Sequence, residues 1–238
     1  MRSKLLLLLF SFPLLAIGQI NDYGTWLSAG LSKDVTKNIS FSAEGQARID
    51  VQYGELATSF VDASLKFKIT KFAAVAFDYR FGNRKQDDGY YNLRQRSAFN
   101  LYLDHKFGKV KVAYRGRYQL SQSAISSGEE IADFSNAFRS KLSVKRKIAK
   151  RTAMGMSGEL YITSDNDGNY SPSDMRLSAK VERKVGKRTY LSGGIIMDRA
   201  FDRMVPKQEF ILSLGYTYEF KGKFFKKKNK IADAIMPD

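Results

Sequence analysis

The feature that most constrains this chain is an alternation of apolar and polar residues that recurs over most of its length. The segment from Ile39 to Gln52 shows it best, because every second residue is apolar or small and the residues between them are polar or charged. In an extended strand, neighbouring side chains point to opposite sides, so this pattern gives one apolar and one polar face. After residue 19, no apolar run reaches the roughly 20 residues that a membrane-spanning helix needs. The chain is therefore predicted to be all-β.

Turn signals separate the alternating segments and predict eleven strands. These lie near residues 24–32, 39–52, 57–69, 72–82, 91–107, 110–121, 134–147, 152–163, 174–185, 189–199 and 207–220. Several reach the roughly 9–11 residues that cross a bilayer on a tilt, which favours a membrane barrel over a sandwich. Bacterial single-chain barrels have an even number of strands. We therefore expect either a missed strand or a short one at Gly24 to Leu31, and predict an antiparallel, up-and-down transmembrane β-barrel of 10–12 strands.

The connections between the predicted strands are of two kinds, which alternate along the chain. Five are tight and basic, near residues 32–37, 68–71, 107–109, 147–151 and 184–188. Most of the others are longer and polar, such as Gly82 to Tyr90, Gln122 to Asp133 and Ser164 to Ser173. Outer-membrane barrels have short turns on the periplasmic side and longer loops outside. The basic turns are therefore predicted to be periplasmic.

Two arrangements share this pattern of faces. A membrane barrel turns its apolar face to lipid and its polar face to the lumen, whereas a soluble, lipocalin-like barrel does the reverse. Aromatic residues near strand ends favour lipid on the outside; they are Tyr79, Phe81, Tyr118, Phe134, Tyr218 and Phe220. Acidic and basic residues are nearly equal on the polar face, so we expect ion-paired side chains to fill most of the lumen. The predicted lumen charge cluster is Glu44, Arg48, Asp78, Arg80, Arg94, Arg96, Arg115, Arg117, Arg139 and Glu159.

The first residues of the chain have the composition of a secretory signal peptide. Two basic residues precede an apolar block from Leu5 to Leu15, and small residues lead to a cleavage site after Gly18. The predicted organisation is a signal peptide at 1–18, an outer-membrane barrel at 19–220 and a basic periplasmic tail at 221–238. The predicted location is the outer membrane of a Gram-negative cell. Cysteine is absent from the sequence, which excludes disulfides and thiolate chemistry.

The net charge of +16 indicates an anionic partner. Because an exported chain rarely meets nucleic acid, the expected partners are outer-membrane lipids and lipopolysaccharide, with no nucleic acid. The final strand, which ends on Phe220, looks like the signal that the barrel assembly machinery recognises, so that machinery is a predicted partner during biogenesis. The tail is predicted to lie on the membrane surface, with a solvated tail as the alternative. Its lysines are Lys221, Lys223, Lys226, Lys227, Lys228 and Lys230.

The sequence predicts no catalytic residue, cofactor or metal site. His105 is the only histidine, and it lies just before a tight turn, without the serine spacing of outer-membrane lipases. The run from Asp165 to Asn169 departs from a calcium loop, because its glycine comes too early and no glutamate follows at the required distance. Loop formation explains this run better. The chain is therefore predicted not to be an enzyme.

Three features together resemble a known family. They are the segment from Asn21 to Leu27 directly after the signal peptide, the step Tyr79-Arg80-Phe81, and basic hairpin turns over most of the mature chain. They resemble the domain of unknown function 2490 family, uncharacterised outer-membrane β-barrels of Gram-negative bacteria. The resemblance implies the same fold and location and brings no activity or site residues.

The sequence thus predicts a structural or envelope-interaction protein with a largely filled, charge-paired lumen. One alternative is a narrow channel or transporter for small solutes, which needs an unfilled lumen. A second is a lipid-modifying enzyme, which needs His105 or a pair of carboxylates beside a crevice that faces lipid.

Overall fold

The computed structural model contains eleven β-strands that form one closed barrel. The structure describes residues 20–86, 88–123, 133–164, 168–201 and 207–220, so the predicted signal peptide, residues 165–167 and the basic tail lie outside the described residues. The strands are β1 (Ile20–Asp34), β2 (Ile39–Asp50), β3 (Glu55–Lys68), β4 (Ala73–Lys85), β5 (Tyr91–Phe107), β6 (Val110–Ser123), β7 (Asp133–Ala149), β8 (Thr152–Ser164), β9 (Tyr170–Lys184), β10 (Thr189–Ala200) and β11 (Lys207–Phe220).

The barrel closes with an odd number of strands. Each strand from β1 to β11 pairs antiparallel with the next, and β1 then pairs parallel with β11. The all-β barrel and the range of 10–12 strands are confirmed, but the expectation of an even number is wrong. An antiparallel circle requires an even count, and the single parallel seam removes that requirement. The segment from Gly24 to Leu31 is part of the 15-residue strand β1, so no strand is missing or short.

The two ends of the barrel differ as the sequence predicts. Turns of two to four residues join β1 to β2, β3 to β4, β5 to β6, β7 to β8 and β9 to β10, and β11 also finishes at this end. We call it the short-turn end and the opposite one the long-loop end. Local chemistry forms the turns: Thr36 Oγ1 accepts the backbone N–H of Ile39 at 3.0 Å, and Gly108 has a φ of +56° in a two-residue hairpin.

Two of the predicted loops are shorter than expected. Strand β4 continues to Lys85 and strand β9 begins at Tyr170, so the polar segments that the sequence suggested were loops are partly paired backbone. Polar residues can continue the strand pairing here because the strands extend past the apolar part of the barrel exterior. A register shift between Tyr161 and Ile162 accompanies the extension of β9 and moves Pro172 into the pairing.

The apolar face of every strand lies on the outside of the barrel. Large apolar side chains there remain exposed, including Ile195 at 66%, Met156 at 62% and Phe99 at 60%. Five of the six predicted rim aromatics are exposed as well, namely Tyr79, Phe81, Tyr118, Phe134 and Phe220, and Tyr218 is half-buried beside Phe220. Strands of 12–17 residues with an apolar exterior are typical of a transmembrane barrel. Within the described residues, no helix is long and apolar enough to cross a bilayer.

Candidate functional site: the charged lumen

The strand register brings charged residues together on the inner wall. Along β6 to β10, Arg115 lies opposite Lys141, which lies opposite Glu159, and the row continues through Arg176 to Asp198. Each of these residues occupies the polar phase of its own strand. Because side chains alternate between the two faces, one register fixes a whole row of lumen charges.

Glu159 is the centre of this row. Its Oε1 accepts hydrogen bonds from Arg115 Nη2 at 2.6 Å and from Arg139 Nε at 2.8 Å, and its Oε2 lies 4.0 Å from Lys141 Nζ. Arg139 also donates to the hydroxyl of Tyr161 at 2.6 Å. Glu159 is only 3% exposed, so its charge is matched by cations rather than by water.

A second ion pair holds the neighbouring part of the wall. Arg117 forms a salt bridge with Asp78, and its Nε donates to Asn100 Oδ1 at 2.6 Å. The side-chain amide of Asn100 in turn donates a hydrogen bond to Asp78 Oδ2 at 3.0 Å. The Ser64 hydroxyl donates to the other carboxylate oxygen, Asp78 Oδ1, at 2.6 Å. Arg117 skips strand β5 to reach Asp78 on β4, so the pair spans part of the lumen.

Aromatic side chains fill the opposite part of the same cross-section. The Arg48 guanidinium lies 3.8 Å from the centre of the Trp26 ring, and that of Arg80 lies 3.3 Å from the centre of the Phe60 ring. Arg176 lies within cation–π distance of both Trp26 on β1 and Tyr161 on β8, at 4.9 and 5.3 Å. The contact between Arg176 and Trp26 crosses the lumen, because β10 and β11 separate β9 from β1.

The aromatic residues of the lumen were not among the predicted site residues. Trp26, Phe60 and Tyr161 each occupy the polar phase of their strand, where the sequence otherwise places serine, threonine or charged residues. That break in phase was the signal that could have found them. An aromatic ring on the lumen face gives an arginine a surface on which to stack.

Most of these contacts form one chain across the lumen, and the network of Arg117, Asp78 and Asn100 lies next to it, because Arg115 and Arg117 are on the same face of β6. We call the two together the lumen layer and define it as Trp26, Arg48, Phe60, Asp78, Arg80, Asn100, Arg115, Arg117, Arg139, Glu159, Tyr161 and Arg176. Direct contacts run from Arg80 by way of Phe60, Arg48 and Trp26 to Arg176, and from there through Tyr161 and Arg139 to Glu159 and Arg115. Trp26, Phe60, Asn100, Arg117, Arg139 and Glu159 are all buried inside the lumen.

Two hollows lie on either side of the lumen layer. The larger, which we call the vestibule, has a volume of about 480 Å³ and extends from Trp26 and Arg96 toward Asn83 and Lys207 at the long-loop end. The smaller, of about 200 Å³, lies toward the short-turn end beside Ser157. The two hollows share no lining residue.

The predicted charge cluster is divided among these regions. Seven of its members belong to the lumen layer; they are Arg48, Asp78, Arg80, Arg115, Arg117, Arg139 and Glu159. Arg94 and Arg96 line the vestibule instead. Glu44 faces the lumen opposite Asp62, four residues nearer the short-turn end than Arg48.

The candidate catalytic features do not come together. His105 lies near the short-turn end of β5, with its ring 4.5 Å from the ring of Phe107. Among the residues that the structure describes, no three histidine, aspartate or glutamate side chains converge as metal ligands would. The tail lysines and the run from Asp165 to Asp167 lie outside the described residues.

A basic groove lies at the short-turn end. Its volume is about 570 Å³, and Glu182 is its single acidic lining residue within the described part of the chain. Lys111 is paired with Asp104 at 2.9 Å and Lys145 with Glu182 at 2.8 Å. We call this surface the basic groove; its basic residues are Lys106, Lys109, Lys111, Lys145, Lys147, Lys150, Arg151 and Lys184.

Comparison with known families decides the relationship of the chain. The model of a family described as protein of unknown function, DUF2490, matches residues 23–208. The chain belongs to this family. The resemblance inferred from the sequence is thereby confirmed, and DUF2490 membership leaves the function itself open. No protein with curated annotation matches the sequence significantly.

Solved structures with a similar fold include three bacterial barrels. The chain is 16% identical to the beta domain of the Bordetella autotransporter BrkA, covering 78% of this chain and 85% of that domain with a TM-score of 0.47. It is 10% identical to an anion-selective porin from Comamonas acidovorans, covering 75% of this chain and 51% of the porin, with a TM-score of 0.36. For the siderophore receptor PirA from Pseudomonas aeruginosa, the identity is 17%, the coverage 74% and 35%, and the TM-score 0.31.

Proposed function

We propose that this DUF2490 protein is a non-conducting barrel of the bacterial outer membrane that acts as a structural or envelope-interaction protein. The observation that carries the proposal is the lumen layer. Glu159 and Arg117 are 3% and 8% exposed although both project into the barrel interior. Side chains this well buried inside the lumen support the proposal that no continuous aqueous path for an ion crosses the barrel.

The outer-membrane location rests on the exterior and on the two ends. Closed barrels can cross a bilayer because strand pairing satisfies the hydrogen bonds of their backbone groups. The exposed apolar side chains on the exterior suit the hydrocarbon interior of the bilayer. In the proposed orientation, the short-turn end faces the periplasm and the vestibule faces the outside. A cleaved signal peptide at residues 1–18 is part of the same proposal.

The basic groove is the proposed contact surface for the envelope. Its lysines and Arg151 lie at the end of the barrel, where Phe107 and Ile148 are exposed at 63% and 56%. Apolar side chains beside lysines suit the boundary between acyl chains and headgroups, with the ammonium groups extended to anionic lipid. The tail lysines, from Lys221 to Lys230, would add to the same surface.

Single-channel recording tests the closed lumen. Protein refolded in detergent, with barrel formation checked by heat-modifiable gel mobility, is added to planar bilayers. We expect no discrete conductance steps. A variant with Arg117, Arg139 and Tyr161 all changed to Ser removes bulk from the lumen layer and is expected to give steps, which shows that the assay detects an open lumen. Ion-selective steps from the unmodified barrel would contradict the proposal.

A narrow channel is the second candidate, and one observation favours it. Hollows of about 480 and 200 Å³ lie on the two sides of the lumen layer, so a modest rearrangement of arginine side chains would join them. Arginine side chains are long and rotatable, and Arg48 stacks on aromatic rings without a salt bridge to a described carboxylate. Steps that appear in the unmodified barrel under an applied voltage would favour this candidate.

A further inference from the structure

The vestibule is lined by more arginines than are needed for the ion pairs that fill the lumen. We propose that it is a binding site for small solutes that carry a phosphate group. The proposal concerns the hollow at the long-loop end and holds whether or not the lumen layer conducts. A volume of about 480 Å³ lies within the range of small-molecule sites, and it would accept a solute the size of a sugar phosphate.

The guanidinium groups of Arg48, Arg80 and Arg96 line one wall of the vestibule, and two of them share one carboxylate. Arg48 and Arg80 lie 5.0 and 3.3 Å from the centre of the same Phe60 ring. Arg96 lies directly opposite Arg80 in the strand register. Asp62 is the acid among them: it forms a salt bridge with Arg80, while Arg96 Nη2 stays 3.9 Å from its Oδ2.

Arg48 therefore lacks an anionic partner among the described residues, and Arg96 shares Asp62 with Arg80, which lies closer to that carboxylate. The hydrogen bond from Arg48 Nε goes to the neutral Gln46 amide oxygen at 2.8 Å, and no described carboxylate lies within 4.0 Å of its guanidinium. The side chain of Arg96 is only 14% exposed. Like charges on facing strands repel each other, and a bound anion would remove that cost.

A buried hydroxyl supplies an independent sign of a ligand. Ser121 lies opposite Arg96 in the register, lines the vestibule and is 4% exposed. Its Oγ has no hydrogen-bond partner in the structure. A phosphate oxygen held by Arg96 would lie within reach of this hydroxyl, which would then donate to it.

The facing wall is acidic and includes Glu209, which forms no salt bridge with a described residue, whereas two of its other carboxylates are ion-paired. Asp22 forms a salt bridge with Lys207, and Asp198 forms one with Arg176 through Oδ2. The surplus of positive charge thus lies on the wall formed by β2, β4 and β5. Several guanidinium groups suit a phosphate, which offers more charge and more acceptor oxygens than a single carboxylate.

The sequence contains one tryptophan, which makes the experiment specific. Trp26 lies in the vestibule with its ring against Arg48, so its fluorescence reports events at the proposed site. Folded protein in non-ionic detergent is titrated with inorganic phosphate, glucose 6-phosphate and glucose by isothermal calorimetry, with Trp26 fluorescence recorded in parallel. The test variant is R48Q/R96Q. The matched control is R146Q/R183Q, which removes two exposed arginines near the short-turn end.

We expect saturable heat from at least one phosphate compound and none from glucose. Affinity should fall by about tenfold or more in R48Q/R96Q and stay unchanged in R146Q/R183Q, because a charged hydrogen-bond partner is lost only in the first. Binding of inorganic phosphate alone would identify the free ion as the ligand, and stronger binding of glucose 6-phosphate would identify a phosphate ester. Absence of heat from both, or equal affinity in R48Q/R96Q, would overturn the proposal.

Discussion

At the residue scale, the lumen depends on side chains that serve several partners at once. Glu159 accepts from Arg115 and Arg139, and Asp78 is bound by Arg117, Asn100 and Ser64. A buried carboxylate of this kind cannot be removed alone, because the cations around it would stay buried without a counter-charge. The arginine-rich interior is stable only as a set.

Replacing Glu159 by Gln should therefore be costly. We expect a loss of about 3–5 kcal/mol in the free energy of unfolding, the usual cost of breaking one side of a buried ion pair. Urea unfolding of the refolded barrel, followed by Trp26 fluorescence, measures it. The matched control is Glu182→Gln, whose partner Lys145 is exposed; its cost should stay below about 1 kcal/mol. Equal losses in the two variants would contradict the buried role of Glu159.

At the element scale, the alternating pattern predicted the strands and their faces well. A period of two is read directly from one strand, so the exterior and lumen sides of β2 to β11 could be assigned without a partner strand. The register between strands could not be read in this way. Which arginine meets Glu159 depends on pairings between distant segments and on shifts such as the one between Lys147 and Ala149. The parallel seam of β1 and β11 has no local sequence signal either.

Close packing between β3 and β4 leaves no room for a side chain at Gly82. A Cβ added at Gly82 on β4 would lie 2.3 Å from the Ser59 carbonyl oxygen and 2.4 Å from Phe60 Cβ. Gly82→Ala should push β4 away from β3 and disturb the ring on which Arg80 stacks, at a cost of about 1–3 kcal/mol. The same urea titration measures the loss. Gly45→Ala, where nothing lies within 4 Å of the added Cβ, should be nearly neutral, and a similar loss there would contradict the packing argument.

At the scale of the whole molecule, charge is distributed unevenly between the two ends. Basic residues dominate the short-turn end, including the basic groove, whereas acidic side chains such as Asp22 and Asp50 lie toward the long loops. A barrel with one basic end has a preferred orientation toward an anionic surface.

The basic groove should make barrel stability depend on lipid charge. In vesicles that contain phosphatidylglycerol, we expect the unmodified protein to resist urea better than in phosphatidylcholine alone. The variant K147Q/K150Q/R151Q should lose most of that gain, at about 1 kcal/mol per basic residue. High salt should reduce the difference by screening. If both proteins gain equally from the anionic lipid, the groove is not the contact surface.

Cross-linking of the seam between β1 and β11 tests the closed eleven-strand barrel, on which the lumen layer, the vestibule and both ends depend. The chain has no cysteine, and Leu27 lies opposite Leu214 in the parallel register, with both side chains exposed on the exterior. Mild oxidation of L27C/L214C in the folded barrel should give a disulfide, seen as a mobility shift on non-reducing gels, as should L27C/A47C across β1 and β2. L27C/S213C, whose second cysteine would face the lumen, should give little. A cross-link in L27C/A47C but none in L27C/L214C would contradict the closure of the barrel by a parallel strand pair.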